Sequence, residues 1–197
     1  MKVIYLHQYF NTPYMSGGTR SYEMAKRLVA AGHEVHMVTS WVKDTDKKEW
    51  FIEDIDGIKV HWFPNLYNNK MSFKQRIQAF FRFAYAATRK VSSISADIIF
   101  ATSTPLTIAI PAILGARNQK IPMVFEVRDL WPEVPIAMGI LKKPHHIFLA
   151  KKLEKWAYKN SAHVVALSPG MKEGIVKTGY PAERVAVIPN SSDNELF

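Results

Sequence analysis

The chain has 197 residues, enough to bury one sizeable core, and length alone favours a single domain. Its 26 Lys+Arg against 17 Asp+Glu give a net charge of +9, which favours anionic partners without choosing between nucleic acid, a phosphorylated substrate and a lipid surface. No cysteine is present, which excludes disulfides and thiolate metal sites and is compatible with a reducing cytoplasm.

In chain order, the apolar run at Val3–His7 predicts a first strand. No basic, then apolar, signal-peptide pattern precedes it. The loop Pro13-Tyr14-Met15-Ser16-Gly17-Gly18-Thr19-Arg20 leads into an amphipathic helix over Thr19–Ala31, with Gly32 placed as its C-terminal cap. A second strand is predicted at Glu34–Thr39. The charged stretch Lys43–Asp56 reads as an irregular excursion or a short hairpin, and Asp56-Gly57 as a turn before a strand at Ile58–Phe63. Helices follow at Ser72–Ser92, Leu106–Asn118, His146–Asn160 and Gly170–Thr178, alternating with strands at Asp97–Ala101, Pro122–Glu126, His163–Leu167 and Val185–Ile188. This alternation is the pattern of an α/β, Rossmann-like parallel sheet with helices on both faces. The longest apolar runs fall far short of the roughly 20 residues a membrane-spanning helix needs. The polar residues after Pro189-Asn190 read as a linker, so a domain over 1–190 is expected, with 191–197 beginning a connection to a further domain.

A strand, a glycine loop and a helix together form the unit that α/β proteins use to bring anionic ligands onto free backbone N–H groups. The adjacent pair Gly17-Gly18 permits positive φ and close approach of a ligand to the main chain. The dinucleotide fingerprint is not met: no third glycine follows, and the second strand ends in Thr39-Ser40-Trp41 rather than an acid. The Gly-Lys-Ser/Thr of a nucleotide-triphosphate loop is absent too. The alternative is a tight turn with no ligand.

Ligands of open α/β sheets sit outside the carboxyl ends of the strands. Three groups map there: His7-Gln8-Tyr9 with the glycine loop, Thr102-Ser103-Thr104, and Arg128-Asp129-Leu130-Trp131-Pro132-Glu133. In the last, Asp129 or Glu133 has the chemistry to accept a proton or hydrogen bond from a hydroxyl, and Arg128 to hold a phosphate oxygen. A structural Arg128–Asp129 ion pair is the competing account. His33 with His36, and His145 with His146, lack ligand spacing and are expected at the surface.

The segments 70–90 and 141–160 interleave lysines and arginines with aromatics, a composition that suits an anionic lipid surface as well as a solvated helix face. In the first, Phe73, Ile77, Phe80, Phe81, Ala84 and Thr88 are assigned to the packed stripe. Phe83, off that stripe, is the expected lipid contact.

The loop Ser16-Gly17-Gly18-Thr19-Arg20, the join from Leu28 to Val35, the turn Arg128-Asp129-Leu130-Trp131-Pro132-Glu133, and Val187-Ile188-Pro189-Asn190 with Asp193 and Phe197 resemble the amino-terminal half of a retaining family 4 glycosyltransferase of the GT-B fold. The resemblance spans essentially the whole chain. It implies an acceptor-side domain facing a separate donor-binding domain, and a hexosyl transfer from a nucleotide-sugar of unspecified base to a glycan or polyprenyl-linked acceptor in surface-polysaccharide synthesis. The fragment would be inactive alone.

By the same resemblance, Gly17, Gly18, Thr19 and Arg20 form the donor-phosphate loop. Arg128, Asp129 and Glu133 orient the acceptor hydroxyl, and His7, Tyr9, Ser103 and Trp131 line the acceptor cleft. Arg128 departs from the histidine common at its position in the family. No metal or other cofactor is implied, nor any nucleic acid. The implied location is the cytoplasm, with a peripheral hold on the inner membrane face. A non-catalytic, membrane-associated glycan- or nucleotide-binding module is the alternative.

Overall fold

Val3, Ile4, Tyr5 and Leu6 are all buried, so side chains on both faces of the first strand, β1 (Lys2–Leu6), are covered. A strand apolar on both faces belongs in the middle of a parallel sheet, and β1 lies there in the computed structural model, which describes residues 1–68, 70–139 and 141–190. The expected linker 191–197 lies outside the described residues, as does the side chain of Phe73. After β1 come α1 (Arg20–Ala30), β2 (Glu34–Trp41), β3 (Phe51–Ile55), β4 (Ile58–Pro64), α2 (Phe73–Ser92), β5 (Ile98–Thr102), α3 (Ala109–Gln119) and β6 (Met123–Val127). The chain continues through α4 (Glu133–Ala137), α5 (Pro144–Lys159), β7 (His163–Ala166), α6 (Pro169–Lys177) and β8 (Val185–Val187).

The eight strands run in the order β3-β4-β2-β1-β5-β6-β7-β8, and every pairing is parallel except β3 with β4. In the charged stretch both alternatives hold in part: residues 43–50 form neither helix nor strand, and Phe51–Ile55 forms a hairpin with β4. Asp56 and Gly57 both take positive φ, +52° and +79°, and return the chain from β3 into β4. Glu53 and Asp54 place charge on this edge strand, which discourages pairing with another sheet.

Side-chain alternation in the sheet divides the core. Tyr5, Val35, Met37, Val60 and Trp62 pack under α1 with Tyr22 and Ala25, whereas Ile4, Leu6, Val38 and Ile99 meet α2, α3 and α5 on the other face. Helix α1 ends as expected, with Gly32 at φ +82° just past its C-cap and its N–H donating to the Val29 carbonyl. Helix α2 starts from a reciprocal cap: the Ser72 side chain accepts from the Gln75 N–H while the Gln75 side chain accepts from the Ser72 N–H.

Two expectations are overturned. Phe83 is wholly buried, and Phe81 and Tyr85 are the exposed aromatics among the described side chains of α2. The packed ridge is the i, i+4 series Ala79-Phe83-Ala87-Val91, whose alanines let the helix lie close to its neighbours. An assignment weighted toward large side chains rotates the stripe off that ridge. His36 is likewise a core residue. Its Nδ1 lies 3.0 Å from Nε2 of His61 on the adjacent strand, the two rings are stacked, and Glu34 meets its other nitrogen. Burial pushes the pKa of both imidazoles below the ordinary value, that of His61 to about 4.

Candidate functional site

The strand order reverses between β1 and β5: connections from β1 go to the β2 side, and later strands are added on the other. The carboxyl ends of the two strands therefore splay apart and leave a crevice. A cleft of about 370 Å³ lies there. From β1 come His7 and Tyr9, then Asn11 and Gly18; from β5 comes Thr104; from β6 come Arg128 and Asp129; Leu167 follows β7 and Asn190 follows β8. The glycine loop and the arginine-aspartate turn, distant in sequence, open onto one groove.

Each wall has a local physical cause. Gly17 has φ +138°, and a Cβ there would run into the Asn11 side-chain amide, so any other residue is strained in its backbone and must displace that amide. Gly18 faces open space: the nearest atom to the place a Cβ would take is Arg128 Nη2, at 4.0 Å. Thr19, the N-cap residue of α1, makes no side-chain capping bond, so the side chain leaves the first-turn N–H groups uncapped. Across the cleft, the Arg128 N–H donates to Ser103 Oγ at 2.9 Å, which pins the turn after β6 to the end of β5. Thr104 Oγ1 donates to Asp129 Oδ2 at 3.4 Å, and Thr104 itself has φ +121°, a conformation that residues with a Cβ rarely hold.

The electrostatics are asymmetric. His7 is buried, and burial together with the nearby Arg128 charge lowers its pKa to about 3, so it meets a ligand as a neutral imidazole. The Tyr9 hydroxyl is held above the usual phenol range by burial and by Tyr67 beside it. Arg128 and Asp129 form no ion pair with each other among the described residues, leaving guanidinium and carboxylate both available to a ligand. One cation beside an uncapped helix N-terminus suits phosphate oxygens, and a carboxylate within the same groove suits sugar hydroxyls.

The profile of the glycosyl transferase 4-like domain matches residues 17–191. The chain belongs to that family. No curated protein sequence matches it. Among solved structures, this glycosyl transferase 4-like domain is similar to sucrose-phosphate synthase from Thermosynechococcus elongatus, with a TM-score of 0.69 at 14% identity over 100% of this chain and 49% of that one. It is similar to the catalytic domain of starch synthase IV from Arabidopsis thaliana, bound to ADP and acarbose, with a TM-score of 0.68 at 14% identity over 98% of this chain and 52% of that one. Anabaena HepE, in complex with UDP and glucose, matches with a TM-score of 0.56 at 18% identity, over 100% of this chain and 46% of that one. The domain thus has the Rossmann-like fold of one half of a GT-B glycosyltransferase, and spans about half the length of these structures.

Of the residues singled out from sequence, His7, Tyr9, Gly18, Arg128 and Asp129 converge on the cleft of the glycosyl transferase 4-like domain, joined by Thr104 from the end of β5. Gly17 shapes it from behind, and Ser103, itself buried, supports Arg128. Arg20 is committed elsewhere: Nε and Nη2 donate to Glu126 Oε1 at 3.0 and 2.8 Å, and Nη1 and Nη2 donate to the carbonyls of Pro189 and Ile188. Trp131 packs against the core, and Glu133 is an exposed first residue of α4; neither lines the cleft. Asn11, Leu167 and Asn190 were not singled out as cleft residues. Leu167 directly follows β7, so the strand-end rule applied to every strand would have found it.

Proposed function

We propose that this chain is the acceptor-side domain of a glycosyltransferase that moves a hexosyl group, with retention, from a nucleotide-sugar to a glycan or polyprenyl-linked acceptor in cell-surface polysaccharide synthesis. The observation that carries the proposal is the meeting of Gly18, Arg128, Asp129 and neutral His7 in one groove at the strand-order switch. Family membership supports the reaction class, and the UDP and glucose of the HepE complex support a nucleotide-sugar donor. In this reading the first-turn N–H groups of α1 and the Arg128 guanidinium stabilise the diphosphate as its charge develops. Asp129 accepts a hydrogen bond from the acceptor hydroxyl, and His7 supplies a further uncharged hydrogen-bonding group.

The outer helix faces support an acceptor held at an anionic membrane surface. Phe81 and Tyr85 on α2, and Phe148 and Leu149 on α5, are exposed beside Arg82, Arg89, Lys151 and Lys152. Arg89 lies over the Tyr85 ring and Lys152 over Phe148. No helix among the described residues is long and apolar enough to cross a membrane. Each basic residue near an anionic surface contributes about 1 kcal/mol, which fits a protein that rests on the inner leaflet from the cytoplasm.

The test is a nucleotide-sugar screen with the protein of the full reading frame, scored by sugar transfer to lipid-linked and soluble acceptors, with the anomeric configuration of the product determined. Transfer that is abolished in Arg128→Ala and Asp129→Asn supports the reading. A full-length protein that transfers from every donor equally well in both variants overturns it.

A further inference from the structure

Arg20 has the side-chain connectivity of a clamp. Its guanidinium is largely buried and rests on Glu126, whose side chain is completely enclosed and whose second oxygen accepts from Thr102 Oγ1 at 3.0 Å. Its remaining reach goes to two consecutive carbonyls of the chain leaving β8: Nη1 donates to Pro189 at 3.0 Å and Nη2 to Ile188 at 3.1 Å. Two residues before Arg20 stands Gly18, and immediately after Pro189 stands Asn190. Both line the cleft. The clamp therefore spans the base of the groove and joins two of its walls through one rigid fork.

We propose that Arg20 is a positioning residue that fixes the chain leaving β8 against the glycine loop, and so sets the opening of the cleft between Gly18 and Asn190. A planar guanidinium is needed because it makes four hydrogen bonds, two to the carboxylate and one to each carbonyl, from three nitrogens in fixed directions, whereas an ammonium has three donors on a single atom. Burial of Glu126 makes the seat permanent, since a carboxylate enclosed without its cation is strongly disfavoured. The exit chain is held mainly by Arg20 and by the Ile188 N–H, which donates to the Ala166 carbonyl. A force on that chain is transmitted to the glycine loop, and a ligand that tightens the loop tightens the exit; by linkage the coupling acts equally in both directions. This deepens the reading of the cleft as a diphosphate site, and rests on that reading only for the choice of ligand.

The experiment compares wild type with Arg20→Lys, which keeps a cation on Glu126 but loses the fork; Arg20→Met serves as the harsher second variant. Hydrogen exchange is followed over 12–19, 184–190 and the β1 and β6 strands, with and without UDP, and UDP affinity is measured by calorimetry. In Arg20→Lys, exchange should rise in both the loop and the exit while β1 and β6 keep wild-type protection. UDP should protect 184–190 in wild type but not in the variant, with affinity falling about five- to tenfold, the range of a modest coupling. Exchange that rises in the exit alone, or UDP protection of 184–190 that survives in Arg20→Lys, overturns the proposal. If wild type does not bind UDP, the diphosphate reading fails, and the ligand-free exchange still decides the clamp.

Discussion

The adjacent glycines make opposite predictions. Gly17 sits at φ +138°, and a Cβ built there collides with the Asn11 side-chain amide. Holding a residue with a Cβ in such a conformation costs about 1–3 kcal/mol, and displacing Asn11, whose amide donates only weakly to the Tyr9 carbonyl at 3.4 Å, adds about 1 kcal/mol. Gly17→Ala should therefore lose about 2–4 kcal/mol, or roughly 4–16 °C in Tm for a domain of this size. Gly18 has no positive φ, and the nearest atom to its added methyl is 4.0 Å away. Its alanine variant should stay within about 0.5 kcal/mol of wild type, or gain slightly from the stiffer unfolded chain. That methyl points toward Arg128, where a phosphate would approach the backbone. Loss of one charge-assisted hydrogen bond there, about 1.5–3 kcal/mol, weakens UDP binding roughly 10- to 150-fold. Urea unfolding and calorimetric titration measure the two quantities separately. A Gly17→Ala protein as stable as wild type would refute the conformational argument, and a Gly18→Ala protein that binds UDP undiminished would remove the case for close approach.

On α2, Phe83→Ala should cost about 3–5 kcal/mol in urea unfolding because the ring is wholly buried, whereas Phe81→Ala should leave stability within about 1 kcal/mol and reduce sedimentation with anionic vesicles. Equal stability losses in the two variants would contradict the assignment of the packed ridge. The histidines predict a pH dependence: His7 and His61 hold folded pKa values of about 3 and about 4, below the ordinary 6.5, so the unfolded chain takes up protons first. Their contribution is complete above pH 6.5 and is lost as pH falls, through about 4 for His61 and about 3 for His7, by up to about 1.4 kcal/mol per group per unit; His61→Asn should flatten this slope, and an unchanged slope would count against it. Glu154 works the other way. Burial, with the nearby Glu133 charge, raises its pKa to about 7, so its contribution declines as pH rises from 4.5 through 7, and Glu154→Gln should gain stability over wild type at pH 8 relative to pH 5.

The layered fold was legible because parallel strands leave long apolar runs, and the Gly32 and Asp56-Gly57 turns mark element ends by backbone need. What escaped was decided by packing partners. The ridge of α2 is defined largely by alanines, which carry little signal on a hydrophobicity count, and His36 is interior because β2 lies between β1 and β4, where His61 and Glu34 meet its ring nitrogens. β3, offered only as one alternative, is an edge strand with Glu53 and Asp54 at its middle, so it lacks the apolar run of its neighbours. The same limit applied at the site: the strand-end rule located the groove, but Trp131 and Glu133, reached by short-range association with Arg128, follow the chain away into α4.

The two arginines show most clearly why local sequence is insufficient. Arg20 and Arg128 each stand near the carboxyl end of the sheet, and either could be assigned to a phosphate from its chemistry alone. Glu126 separates them. Its side chain lies on the floor between β5 and β6, where Thr102 takes one oxygen and Arg20 the other. That pairing removes Arg20 from the ligand's reach and uses it to hold the walls of the groove. Arg128, two residues beyond Glu126 and anchored through its backbone N–H to Ser103, has no ion pair among the described residues, and its charge adds to burial in keeping His7 neutral. Among the described residues the cleft therefore presents one positive charge rather than a cluster. On the reading proposed above, a diphosphate bound there would draw its remaining stabilisation from the first turn of α1, which would make the backbone leading into that turn at Gly18 as much a part of the binding chemistry as any side chain.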